Sequence, residues 1–171
     1  MFIKGFCPIR QVTNKPIKGR LGLDLTLGVI ITMNDLLLHA LQVVANERGA
    51  KFDKAFAAAT ALVSGLSESD LAERIVAEAP PSVPWEVIAD LLGILQWSTK
   101  DNGAAICRTA ERWLLEGSDV RRMSIALDLD SYPFLDDEQM QTVLERIAQQ
   151  FPELAFRCRA LIAERTKGVA K

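Results

Sequence analysis

Helix start and stop signals recur along residues 34–171 with a spacing of about 17 residues, and this punctuation constrains the fold more than any other feature. Asn34 as N-cap and Gly49 as stop bound a first helix over about 35–48, and Gly65 ends a second over about 52–64. Ser67-Glu68-Ser69-Asp70 approximates a capping box and opens a third helix that ends before Pro80-Pro81. Pro84 sits where a first-turn proline fits and starts a fourth, through Ser98. Asp101 caps a fifth over about 102–116, stopped by Gly117. Ser118 caps a sixth over 119–130, terminated by Pro133. Asp136 caps a seventh to Gln150, and Pro152 opens an eighth to about Thr166, before Gly168.

Short connections make sequential helices antiparallel neighbours. A helix pair then recurs about every 35 residues, the spacing of stacked helical hairpins. The expected fold is all-α, a short right-handed stack of about eight helices. With 171 residues, 49% apolar and 25% charged, the chain has the composition of one globular domain with a sizeable core, and wholesale disorder, collagen and a disulfide scaffold are excluded.

Residues 1–32 differ from the rest. Leu21, Leu23, Leu25, Leu27, Val29 and Ile31 alternate with Gly22, Asp24, Thr26, Gly28 and Ile30, a period of two that signals a half-buried strand. Lys4, Arg10, Lys15, Lys18 and Arg20 stand against Asp24, a net charge of +4, whereas residues 33–171 carry −6. Two readings stand side by side: a β-like element of the domain, or a basic extension upstream of a helical domain over 33–171. Asp24 interrupts the apolar run 21–33, which is also too short to span a bilayer and lacks a signal-peptidase site. Cys7, Cys107 and Cys158 are widely spaced, with no CxxC pair, which fits reduced thiols in a cytoplasmic protein.

Residues 117–127 read Gly-Ser-Asp-Val-Arg-Arg-Met-Ser-Ile-Ala-Leu. This resembles the start of the second helix of a HEAT repeat, with Asp119, Val120, Arg121, Ile125, Ala126 and Leu127 in the matching places. Phe151-Pro152-Glu153-Leu154, then Cys158, Ala160 and Leu161, form a more degenerate pair, so the resemblance covers about 102–166. It implies a structural role for Asp119 and Arg121, bridging neighbouring repeats. It also implies a protein-binding scaffold; small bacterial members include immunity proteins that neutralise a toxin, and a few are DNA glycosylases.

Motifs of known chemistry are missing: no Walker loop, G-x-G-x-x-G, H-E-x-x-H or G-x-S-x-G occurs. No metal site and no cofactor is expected. His39, the one histidine, lies among Leu36, Leu37, Leu38 and Leu41 and reads as a packed residue; no spacing supports a dyad with Cys107 or Cys158. Asp128 to Glu138 holds five acids in eleven residues, but a calcium loop starting at Asp128 would need Gly and Glu where Pro133 and Gln139 stand.

Asp136, Asp137 and Glu138 suit a helix N-terminus, whereas Asp128 and Asp130 oppose the dipole at a helix C-terminal end. Tyr132 and Phe134 flank Pro133, either stapling the turn onto the core or offering an aromatic anchor ringed by acids. Trp85, Trp97 and Trp113 read as core or semi-buried packing, with Trp85 the most exposed. Arg108, Arg112, Arg121 and Arg122, then Arg157, Arg159 and Arg165, are interleaved with Glu111, Glu116 and Asp119, the pattern of a solvated, ion-paired face.

The expected function is non-enzymatic: a protein-interaction domain whose acidic surface takes a basic partner, in its sharpest form a bacterial immunity protein or inhibitor of a toxin. The candidate partner-binding residues are Asp128, Asp130, Tyr132, Asp137 and Glu138. An adaptor subunit of a larger assembly is the alternative. A glycosylase is a further one, disfavoured because the acidic body repels nucleic acid.

Overall fold

The computed structural model describes residues 32–48, 53–64 and 70–169. Among these, eight helices follow one another: α1 Met33–Glu47, α2 Asp53–Ser64, α3 Leu71–Glu78, α4 Trp85–Gln96, α5 Ala104–Glu116, α6 Val120–Asp128, α7 Asp137–Gln150 and α8 Ala155–Val169. The all-α class read from the punctuation holds. The period-two segment 21–31 lies outside the described residues.

Local chemistry sets most boundaries. Thr32, not Asn34, caps α1: its hydroxyl accepts from Asp35 N, and the Asp35 carboxylate accepts from Thr32 N in return. Asp119, not Ser118, caps the shorter α6, accepting from Arg122 N at 3.1 Å. Asp136 caps α7 through Gln139 N, as its position implies. Asp70 stands at the start of α3 in the left-handed region without a side-chain cap, and residues 67–69 lie outside the described residues.

Asp101 accepts from Gly103 N and Ala105 N, holding the turn into α5. Gly103 follows with φ +79, and a Cβ there would lie 2.7 Å from Gln96 Cβ and Cγ, so both backbone and space demand glycine. Gly117 closes α5 in the left-handed region, where Arg146 of α7 donates to the free carbonyls of Leu114 and Leu115.

The helices stack as hairpins. α1 packs on α2, α5 on α6 and α7 on α8; α3, α5 and α7 touch in succession, as do α2, α4 and α6. α4 is central, packing on α1, α2, α3, α5 and α6. It buries Val87, Ile88, Leu91, Leu92, Ile94 and Leu95, each contributing about 1.5–3 kcal/mol of apolar burial. Trp113 of α5 and Phe134 of the α6–α7 connection are the largest fully buried side chains. Contrary to expectation, Trp85 is half-buried and Trp97 is the exposed tryptophan, at 69%. His39 is exposed on α1 rather than packed.

Candidate functional site

Asp128 is the last residue of α6, where its charge opposes the helix dipole. Arg157 of α8 offsets this, pairing with Asp128 at 3.2 Å while its Nε donates to Leu127 O. Asp90, on α4, comes close to both Asp128 and Asp130 and pairs with Arg48 at 2.7 Å. Burial pushes the carboxyl of Asp90 above the usual range; Arg48 pulls it back, and Asp130 and Glu86 push it further up. Burial likewise raises Asp128, with Arg157 opposing and Asp90 adding to the rise. Asp90 thus pairs with Arg48 and Asp128 with Arg157, while Glu86 and Asp130 add negative charge near Asp90.

The five partner-binding residues read from the sequence have different neighbours. Asp128 and exposed Asp130 belong to the cluster just described. Tyr132 is half-buried beneath Arg165, whose guanidinium carbon lies 4.7 Å from the ring centroid. Arg165 also pairs with Asp137 and donates to Leu135 O, so Tyr132 and Asp137 are engaged by α8. Glu138 is exposed in the first turn of α7, and Leu135 beside them is 87% exposed. Phe134 takes the stapling role, fully buried.

Asp119 and Arg121 have separate jobs. Asp119 caps its own helix and approaches Arg122 at 3.7 Å. Arg121 reaches across to the α3–α4 connection, donating to the carbonyls of Pro80, Pro81 and Val83.

Two features escaped sequence reasoning. Asp90 sits in a largely apolar helix, and Asp128 and Asp130, the acids it meets from outside α4, lie some forty residues on, so no local signal marks it. Glu73 of α3 accepts from Trp113 Nε1 at 2.8 Å, from Arg112 at 3.0 Å and from Arg122, gathering two of the arginines read as solvated.

The described residues include two free cysteines, Cys107 and Cys158. The buried thiol of Cys158 is pushed up to about 11 by burial, leaving it protonated at neutral pH. Gln96 Nε2 lies 3.2 Å from Ser131 Oγ and 3.6 Å from Cys107 Sγ, a polar contact tying α4 and α5 to the turn after α6. Among the described residues, no group of three His, Cys, Asp or Glu is placed to hold a metal ion, and no helix is long and apolar enough to cross a membrane.

No family model, curated protein or solved structure matches this chain.

Proposed function

We propose that this protein is a non-enzymatic interaction domain that binds a basic protein partner at the α4–α6 carboxylates. One observation carries the reading: Asp90 and Asp128, each paired with a single arginine, lie within electrostatic reach of each other and of Asp130, and Glu86 adds to the charge at Asp90, so carboxylates outnumber the two paired guanidinium groups here. Keeping like charges together costs stability, and a cationic partner relieves that cost on binding. The HEAT-like pattern of residues 117–127 sharpens the proposal to a cytoplasmic inhibitor of the immunity-protein type, in which the hairpin stack occludes a toxin's basic surface.

The test is affinity capture at low salt with the wild-type chain and with Asp128→Asn/Asp130→Asn, followed by a titration of the captured protein. A basic partner is expected, held less tightly by the double variant and released as salt shortens the Debye length from ~10 Å at 0.1 M to ~3 Å at 1 M. A partner that binds both forms equally, at either salt concentration, overturns the reading.

A further inference from the structure

α4 packs against α1, α2, α3, α5 and α6. At about 100° per residue, Glu86, Asp90, Gly93 and Trp97 fall on a single stripe about 60° wide. The residues on both flanks of that stripe, Ala89 and Ile94, are buried. The stripe presents carboxylates at one end and the ring of Trp97, 69% exposed, at the other.

Gly93 lies between them. A Cβ built there meets nothing within 4 Å, so no neighbouring atom demands glycine, and none of the positive-φ glycines is this one. Glycine in a helix interior is unfavourable relative to alanine. What glycine provides here is a notch in the surface between the acidic end and the indole.

We propose that this stripe is a docking track for an arginine-bearing protein segment. The inference rests on the basic-partner reading above and assigns its contact face. One guanidinium reaches the carboxylates of Asp90 and Asp130, the backbone and an aliphatic stem settle over Gly93, and a second guanidinium stacks on Trp97. Asp90 and Trp97 are seven residues apart, a rise of about 10 Å along the helix. Three residues of an extended chain span about the same distance.

The experiment uses the full chain and a fluorescent peptide of about twelve residues repeating Arg-Gly-Leu, which puts an arginine every ~10 Å when extended. Anisotropy at about 0.1 M salt reads binding, and thermal unfolding reads the fold. Saturable binding is expected. Trp97→Ala and Gly93→Leu should each weaken it about ten-fold or more. Gly93→Ala separates binding from folding: it should raise the unfolding temperature yet weaken binding, because a methyl group fills the notch. If Gly93→Leu fails to fold, Gly93→Ala and Trp97→Ala carry the test.

Binding that ignores these variants but falls with Asp128→Asn/Asp130→Asn keeps the contact at the α4–α6 carboxylates; the track is then wrong and the basic-partner reading stands. No saturable binding at all overturns both. Self-association that Trp97→Ala abolishes assigns the stripe to a second copy and likewise overturns the proposal.

Discussion

The indole Nε1 of Trp113 donates to Glu73 Oε2 at 2.8 Å, so the one polar atom of the largest buried side chain is satisfied by a residue forty positions earlier. Glu73 also receives Arg112 and Arg122, and Arg122 lies over the Trp113 ring at 5.9 Å. The node ties α3, α5 and α6 together. Glu73→Ala strands a buried N–H and should cost about 1–3 kcal/mol. Glu73→Gln keeps an acceptor for the indole and should cost less. Urea denaturation of the two variants checks the order, and equal losses would show that the arginines rather than the indole set the cost.

Gly103 and Gly93 make a contrast within one region. At Gly103 both φ and the contact with Gln96 oppose any side chain, and Gln96 is itself buried against Ser131. Gly103→Ala should destabilise by about 1–3 kcal/mol, the range for forced left-handed backbone. Gly93→Ala should stabilise by about 0.5–1 kcal/mol, the helix-propensity difference. Melting curves for the pair give opposite signs, and the same sign for both would contradict the local geometry.

How much of this was legible follows from how far apart the interacting residues sit. Caps are local, so eight helices and the capping role of Asp136 could be read directly. The errors were also local: Thr32 outcompetes Asn34 because Asp35 completes a reciprocal box, and Asp119 displaces Ser118 because α6 begins one residue later. Trp85 and Trp97 exchanged roles because exposure depends on where α4 meets α1 and α6, which helix periodicity alone does not state. Glu73 and Asp90 were passed over because each acquires its meaning from residues roughly forty positions away. The acidic run 128–138 was visible, but not that two arginines of α8 pair with it, Arg157 with Asp128 and Arg165 with Asp137.

Arg121 donates to three carbonyls of the α3–α4 connection, whereas Asp119 acts only on its own helix and Arg122. Asp119→Ala should therefore cost about 0.5–2 kcal/mol, as a lost N-cap. Arg121→Ala should cost about 1–3 kcal/mol, because the carbonyls lose a charged donor. Arg121→Lys should recover only part of that, since an ammonium lacks the planar fork. Hydrogen exchange separates the two sites: Arg121→Ala should expose amides around residues 80–87, and Asp119→Ala those at the start of α6. Uniform exposure in both variants would argue against this division.

Asp90 and Asp128 give the fold a pH dependence of definite sign. Burial raises both carboxyls above the ordinary value of 3.8, against the pull of Arg48 and Arg157. Between 3.8 and the raised values the native state holds more protons than the unfolded chain. Stability from these two groups therefore rises as pH falls through that window, and their penalty is present in full above it. Asp35 titrates the other way, held below the usual range by the Thr32 hydroxyl, and it remains in any variant that leaves α1 intact. Comparing wild type with Asp90→Asn/Asp128→Asn cancels Asp35 and isolates the pair. Urea unfolding from about pH 7 to about pH 3.5 should show wild type gaining on the variant as acid is added. A gap that stays constant, or moves in the variant's favour, would mean that Arg48 and Arg157 outweigh desolvation and that the two carboxylates stabilise the fold in their charged form.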